Sequence, residues 1–254
     1  MPVLFEGENA KLVRDEESQI ALYTIQMQNG ENRFTAPMNK ELHQCLDVLA
    51  SDIKSQPPSS KVALILTGIG KYFSLGLDLA TYYSASTPQH LFHTTYQRFL
   101  SRLLVLPMVT VAAINGHSIA GGMIAALCCD YRVMNVKRGF MAMNEIQLPS
   151  SVPTGMLVVV QHKVADPALQ RDLLLLGGKH TSQQMHKAGV IDILADEDQV
   201  LSEAKQLAIK HAHSIRKMPF VGIIKKTMHR EPYKHLTEPE ELDHFEFAKS
   251  VNKL

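Results

Sequence analysis

The sequence is poor in cysteine, in excess charge and in long apolar runs. Its three cysteines are an odd number, which argues against a disulfide framework, and they show no Cys/His spacing typical of a metal site. Lys and Arg total 26 against 25 Asp and Glu, so neither nucleic acid nor an anionic membrane is expected as the main partner. No apolar stretch reaches the roughly 20 residues of a membrane span, because Asn-Gly-His-Ser separates the two longest candidates, 103–114 and 119–129.

The N-terminal half alternates strand-like and helix-like segments. Residues 62–67 are apolar throughout, as in a strand that is covered on both faces. Residues 37–54 place apolar side chains on one helical face, and Pro37 suits the first turn. The other predicted strands are 20–27, 108–114 and 131–135, and the other predicted helices are 88–104 and 120–129. This alternation predicts an α/β fold with right-handed crossovers.

Helical patterns dominate after Asp130. They predict helices over 153–163, 167–176 and 182–188, a short strand over 190–194, and further helices over 198–213, 218–229 and 237–251. The polar run 195–198 is the expected boundary between them. We therefore expect residues 1–195 to form the core and residues 196–254 to form a helical region that packs back on the core or joins subunits.

The stretch over residues 109–130 carries the most chemical information. An apolar run stops at Asn115-Gly116-His117, and the pair Gly121-Gly122 then opens a second run with helical spacing. This pattern predicts a strand, a tight turn and a helix whose first N–H groups have no internal partner and attract negative charge. Glycine also lets a substrate approach the backbone closely. The segment therefore predicts a site that holds an oxyanion.

The same turn is close to a different catalytic motif. Residues 116–120, Gly-His-Ser-Ile-Ala, nearly match the nucleophile elbow of hydrolases, with Ser118 as the nucleophile. A serine hydrolase would also need an acid and a histidine, and Asp192 with His211 or His213 could supply them. The alternative interpretation is that Ser118 is an ordinary turn residue.

Two more segments carry polar groups of interest. Glu145 lies in the apolar-rich stretch 140–148, where burial would raise the pKa of its carboxyl group and make it a better base. Its alternative is a glutamate that faces solvent from a loop. The segment FSLGLDL at 73–79 follows the 62–67 strand and reads, by itself, as a loop with one glycine and a helix-capping Asp78.

Taken in this order, these segments resemble the crotonase (enoyl-CoA hydratase/isomerase) family. The resemblance is carried by FSLGLDL at 73–79, NGHSIAGGMIAALCCDYRVM at 115–134, NEIQLP at 144–149 and LLLLGGKHTSQQMHKAGVID, which lies within 171–192. It implies a spiral core of ββα units, acyl-CoA thioester substrates, an enolate intermediate and no cofactor beyond the CoA of the substrate. The family also forms trimers, sometimes paired into hexamers, through its C-terminal helices.

The resemblance further implies roles for individual residues. Two main-chain N–H groups, carried over to Leu75 and Gly121, would hold the thioester oxygen. Glu145 would be the acid/base. The CoA moiety and the acyl chain would contact a second set of residues, namely Ser74, Leu77, Asp78, Gly122, Ile124 and Leu148.

One position separates two activities within the family. Hydratases of the family carry a glutamate three residues after the oxyanion-hole glycine, where this chain has Ile124. Hydration needs two carboxylates to orient and split water, whereas shifting a double bond needs one base that moves a proton. The resemblance is therefore to the isomerase branch, which converts 3-enoyl-CoA to trans-2-enoyl-CoA. A hydratase, another acyl-CoA enzyme of the family and a non-catalytic acyl-CoA-binding subunit are the alternatives.

The last three residues suggest a cellular address. Asn252-Lys253-Leu254 resembles the Ser-Lys-Leu signal that the peroxisomal import receptor reads. The alternating charges of residues 5–18 are unlike a signal peptide. We therefore expect a peroxisomal enzyme.

Overall fold

The computed structural model describes residues 2–57, 59–80, 93–148, 151–215 and 218–238. A large, mostly parallel sheet has the strand order β1-β2-β3-β4-β6-β8-β11. Its strands are β1 (Val3–Glu6), β2 (Ala10–Glu17), β3 (Ile20–Met27), β4 (Lys61–Gly68), β6 (Val109–Ile114), β8 (Tyr131–Asn135) and β11 (Ile193–Ala195). A small sheet has the order β10-β9-β7-β5. Its strands are β5 (Tyr72–Ser74), β7 (His117–Ile119), β9 (Phe140–Ala142) and β10 (His180–Thr181).

Helices cover both faces of the large sheet. They are α1 (Ala36–Lys54), α2 (Arg98–Leu104), α3 (Gly121–Cys128), α4 (Thr154–Lys163), α5 (Pro167–Leu176), α6 (Ser182–Lys187), α7 (Val200–Ser214), α8 (Met218–Met228) and α9 (Arg230–Thr237). A π-helical turn, His93–Gln97, leads into α2, and a 3₁₀ turn, Glu145–Gln147, follows β9. No helix in the described ranges is both long enough and apolar enough to cross a membrane.

The central strand β4 contains the apolar run over 62–67 and is buried on both faces. Successive side chains of a strand point to opposite faces, so Leu64 and Leu66 lie in the core formed with α1 and α3. Ala63 and Ile65 lie in the second core, which α7 covers. The prediction of a strand covered on both faces is confirmed.

The small sheet arises because three strands of the large sheet continue into it. After β4, β6 and β8, a short turn leads directly into β5, β7 and β9, respectively, and these short strands run parallel to each other. Each unit is a long strand, a short strand and then helical structure, which agrees with the expected ββα pattern. The turns after β5, β7 and β9 are thereby gathered at one edge of the small sheet.

Most predicted elements agree with the structure within a few residues, and the α/β class is confirmed. The strand predicted over 190–194 is shifted to Ile193–Ala195, because the N–H groups of Val190 and Ile191 both donate to the carbonyl of Met185 and close α6. Residues 88–92 of the helix predicted over 88–104 lie outside the described residues, and the remainder forms a π-helical turn, His93–Gln97, followed by α2.

One set of strands differs more strongly from the prediction. The strands β1, β2 and all four strands of the small sheet were not predicted. Residues 239–251 of the helix predicted over 237–251 lie outside the described residues, and α9 ends at Thr237 just before them. Cys128 and Cys129 are free and buried.

The segment after residue 195 packs extensively on the rest of the chain. Helix α7 buries the small side chains of Ala204, Ala208 and Ala212 against the large sheet. Helix α9 packs against α4 and α2. The division into a core over 1–195 and a helical region over 196–254 that joins subunits stays a prediction.

Candidate active site

A cavity of about 290 Å³ opens where β5, β7 and β9 end. Apolar side chains dominate its wall, and the carboxylate that lines it among the described residues is that of Glu145. The lining residues are Arg33, Leu75, Leu77, Leu79, Ile119, Ala120, Asn144, Glu145, Leu148, Ser151, Pro153 and Met156. A pocket of this composition suits an apolar ligand that is oriented by a few polar groups.

Glu145 is the buried acid of this cavity. It begins the 3₁₀ turn after β9, and the Leu148 N–H donates to its main-chain carbonyl at 2.9 Å. The side chain is only 7% exposed, and its Oε2 has no hydrogen-bond partner in the part of the chain that the structure describes. Burial therefore raises the pKa of Glu145 to about 7. A carboxyl group with this pKa can both accept and return a proton near neutral pH.

The beginning of α3 borders the same cavity as Glu145. Ala120 lines the cavity and has a positive φ of 49°, and its N–H donates to the Ala142 carbonyl of β9 at 2.8 Å. No side chain caps the helix. The N–H of Gly121 has no hydrogen-bond partner among the described residues, as expected for the first turn of a helix. The oxyanion role predicted for this helix terminus stays a prediction.

Glycine is required in the first turn of α3 by close packing. A Cβ at Gly122 would lie 2.4 Å from the Ser74 carbonyl oxygen. A Cβ at Gly76, whose φ is +83°, would lie 2.9 Å from the nitrogen of Gly121. The loop after β5 and the start of α3 therefore touch through their backbones.

The predicted role of Leu75 has to be corrected. Its N–H already donates to the main-chain oxygen of Glu31 at 3.1 Å, so this amide is not free to hold an oxyanion. The side chain of Leu75 does line the cavity.

The amide of Leu77 has the geometry that Leu75 lacks. Phe34 forms a parallel bridge with Leu77, in which the Phe34 N–H donates to Gly76 at 2.8 Å and the Phe34 carbonyl accepts from Asp78 at 3.4 Å. In such a bridge the central residue directs its own N–H away from the partner. No partner for the Leu77 N–H is found within the described ranges.

The other predicted substrate-binding residues separate into two groups. Leu77 and Leu148 line the cavity. Ser74 is fully buried, and its hydroxyl donates to the Asn32 carbonyl at 2.6 Å and accepts from the Gly76 N–H at 3.0 Å, so it shapes the loop. Ile124 is fully buried in the apolar core behind the helix terminus. Asp78 and Gly122 are not among the lining residues; Asp78 is partly exposed.

Sequence reasoning missed Arg33 at this cavity. Its side chain lines the wall and forms an ion pair with Glu31 at 2.6 Å, with 37% of the side chain exposed. The available signal was a basic residue shortly after the pair Asn29-Gly30, which is too common a pattern to single out a site.

The structure does not assemble the hydrolase alternative. Ser118 is fully buried, and its hydroxyl has no partner in the described part of the chain. Asp192 instead accepts from the Arg132 main-chain N–H at 2.8 Å. His211 lies on α7 and stacks on Tyr131 with a centroid distance of 4.3 Å. No group of three or more His, Cys, Asp or Glu that could hold a metal is found within the described ranges.

A buried carboxyl group and the start of α3 border the same apolar cavity, an arrangement typical of an enzyme that moves protons. The enoyl-CoA hydratase/isomerase family model matches residues 15–253, so the chain belongs to this family. It is 35% identical over 164 residues to peroxisomal enoyl-CoA delta isomerase 1 of Arabidopsis thaliana, covering 65% of this chain and 67% of that protein. It is 31% identical over 211 residues to peroxisomal enoyl-CoA delta isomerase 2 of the same plant, covering 80% of this chain and 86% of that protein.

The expected crotonase-type fold is confirmed by solved structures. The chain superposes on the human mitochondrial delta3-delta2-enoyl-CoA isomerase with a TM-score of 0.79 and 24% identity, covering 95% of this chain and 92% of that one. At this identity the likeness establishes the fold.

Proposed function

We propose that this protein is a Δ3,Δ2-enoyl-CoA isomerase, which converts 3-enoyl-CoA to trans-2-enoyl-CoA in the β-oxidation of unsaturated fatty acids. The observation that carries the proposal is Glu145, a buried carboxyl group with its pKa raised to about 7, which lines the same cavity as Ala120 at the start of α3. The names of two relatives, both enoyl-CoA delta isomerases, support the same reaction.

In the proposed mechanism, Glu145 moves one proton. Its carboxylate takes a proton from C2 of the acyl group, and the electron pair shifts to form a dienolate with its charge on the thioester oxygen. The same carboxyl group then returns the proton to C4, and the double bond forms between C2 and C3. No atom is gained or lost, so the reaction needs neither water nor a cofactor.

The dienolate oxygen would be held by two main-chain N–H groups. We assign these to Gly121, at the start of α3, and to Leu77, in place of Leu75. Both amides are without partners in the described residues, and Gly76 brings their segments into contact. Each donor of this kind typically contributes about 3 kcal/mol to lowering the barrier. Leu148 and the side chain of Leu77 would contact the acyl chain, and Ser74, Asp78 and Gly122 would shape the loop and helix terminus.

The surroundings of Glu145 favour isomerisation over hydration. Burial raises the pKa of Glu145 and a hydrogen bond from its own backbone lowers it, and no other ionised group among the described residues shifts it. At the position of the second hydratase glutamate the chain has Ile124, which is buried in the core behind the helix terminus and supplies no second carboxylate. An apolar site excludes the water that hydration consumes.

The experiment that tests the function is turnover by Glu145→Gln. We expect isomerisation of 3-hexenoyl-CoA to fall by about 10²–10⁴-fold, the range for loss of a general base. Glu203→Gln on α7 is the matched control, because it makes the same chemical change on the opposite face of the large sheet. Near-normal isomerisation by Glu145→Gln would refute the mechanism.

A second experiment compares the two reactions in the wild type. We expect it to hydrate crotonyl-CoA far more slowly than it isomerises 3-hexenoyl-CoA, and comparable rates would favour the hydratase alternative. Acyl-CoA binding without turnover would favour a binding subunit.

The proposed assembly is a homotrimer, and pairing into a hexamer is the alternative. Its support is an apolar stripe on α8, in which four large side chains are more than half exposed: Phe220 59%, Ile223 64%, Ile224 61% and Met228 56%. Their spacing of three and four residues places them on one side of the helix. Such a stripe is typical of a surface that a partner covers.

The proposed location is the peroxisome. Asn252-Lys253-Leu254, the proposed signal for the import receptor, lies outside the described residues, and the two plant relatives carry a peroxisomal designation. A fluorescent reporter that ends in the last ten or so residues of this chain should enter peroxisomes. A reporter that stays in the cytosol, while one ending in Ser-Lys-Leu is imported, would contradict the assignment.

A further inference from the structure

Tyr96 is a buried residue that contacts Gly121, the first residue of α3, on the side away from the cavity. Its side chain is fully buried and does not line the cavity, and its hydroxyl donates to the Gly121 carbonyl at 2.5 Å. The packing is equally close, because a Cβ at Gly121 would lie 2.9 Å from the Tyr96 hydroxyl oxygen. Tyr96 therefore fixes both the position and the rotation of the residue whose N–H is the first donor.

The ring of Tyr96 leads to the second donor. It packs on the ring of Phe34 with a centroid distance of 4.7 Å. The Phe34 backbone is hydrogen-bonded to the residues on both sides of Leu77. Its N–H donates to the Gly76 carbonyl at 2.8 Å, and its carbonyl accepts from the Asp78 N–H at 3.4 Å. A continuous path therefore runs from the Leu77 amide through Phe34 and Tyr96 to Gly121.

The far end of this path is anchored by a histidine. The His43 Nε2 lies 2.9 Å from the Thr95 carbonyl, and its Nδ1 lies 2.9 Å from the Arg102 guanidinium. Arginine can only donate, so the Nδ1 of His43 accepts and its Nε2–H donates to Thr95. Burial lowers the pKa of His43, which keeps the ring in the neutral form that this pairing needs. The π-helical turn that carries Tyr96 is thus tied to α1.

We infer that Tyr96 is a positioning residue, which together with Phe34 sets the separation and direction of the Leu77 and Gly121 amides; the inference rests on the proposed function of this site. An oxyanion hole stabilises developing charge only when its donors are held in place before the reaction. If the two N–H donors are no longer aligned, the dienolate is stabilised less, and binding of the neutral substrate changes little. Removal of the Tyr96 hydroxyl should therefore change kcat rather than KM.

The test is Tyr96→Phe, which removes one oxygen atom and keeps the ring on Phe34. The matched control is Tyr23→Phe, because Tyr23 is also fully buried and its hydroxyl donates to Asp52 at 2.5 Å, at a place outside the cavity. For 3-hexenoyl-CoA we expect kcat of Tyr96→Phe to fall about 10-fold with KM within about twofold of wild type. Tyr23→Phe should keep kcat and lose only thermal stability. Equal kcat in the two variants would overturn the inference.

A second readout does not depend on turnover. Acetoacetyl-CoA bound as its enolate places negative charge on the thioester oxygen and absorbs in the near ultraviolet. Tyr96→Phe should reduce the ratio of bound enolate to bound keto form about 10-fold at saturating ligand, and Tyr23→Phe should not change it. Phe34→Leu, which keeps the hydroxyl and removes the ring contact, should reduce it as well. An unchanged enolate signal in Tyr96→Phe and Phe34→Leu would overturn the inference. A wild type that forms the enolate but isomerises no 3-enoyl-CoA would refute the proposed reaction alone.

Discussion

At the scale of single residues, the proposed chemistry depends on a carboxyl group whose burial destabilises its ionised form. Desolvation raises the pKa of Glu145 from 4.5 to about 7. Because the folded state holds this proton more tightly than the unfolded state, its contribution favours folding at low pH and is lost as the pH rises from about 4.5 through about 7. The loss amounts to about 3 kcal/mol at higher pH. Burial of Glu145 thus lowers the free energy of unfolding at higher pH, and the same burial gives the proposed base a pKa near neutrality.

The same pKa predicts how the rate depends on pH. The base must be ionised to take the C2 proton, so kcat/KM should be constant above pH 7 and should fall about tenfold per pH unit below it. An unperturbed glutamate would stay active down to about pH 4.3. The measurement is kcat/KM for 3-hexenoyl-CoA between about pH 5 and 9, with the melting temperature followed over the same range as a control for folding. A flat profile down to about pH 5 would contradict a buried, lone carboxyl group.

Residues differ in how well the sequence predicts their roles. Glu145 and Gly121 could be singled out, because an acid in an apolar stretch and a glycine pair after a strand carry their own chemical reasons. The choice between Leu75 and Leu77 could not be made in this way. The two leucines flank the same glycine, and only the direction of each N–H separates them. That direction is set by Glu31 and Phe34, which are more than 40 residues away in sequence.

At the scale of elements, a helix or strand can be predicted when its apolar residues recur regularly over enough positions. Helix α1 has an apolar face, a proline in its first turn and Thr35 as its N-cap, so its start and end agree with the prediction within one residue. The strands of the small sheet are only two or three residues long, and no alternation can be recognised over so few positions. The π-helical turn before α2 has no sequence signal of its own. The elements that could not be predicted are the ones that place Tyr96 and the cavity.

At the scale of the whole molecule, the site follows from the way the two sheets are connected. Three neighbouring strands of the large sheet feed the three parallel strands of the small one, so segments distant in sequence end at one edge. Leu77, Gly121 and Glu145 each follow one of these short strands by a few residues. The large sheet, buried between α1 and α3 on one side and α7 on the other, is the rigid support. A site on such a support holds its donors without reorganisation.

The apolar stripe of α8 predicts how this molecule assembles. A charge placed at its centre would have to be desolvated in an interface, so Ile224→Glu should dissociate the proposed trimer into monomers. Leu201→Glu on α7 is the matched control, because Leu201 is an apolar side chain outside the stripe that is 42% exposed. Sedimentation velocity at micromolar concentration measures the mass of both variants and of the wild type. A wild type that sediments as a monomer would refute the trimer. A trimeric Ile224→Glu would instead place the subunit contact elsewhere and leave the stripe without this role.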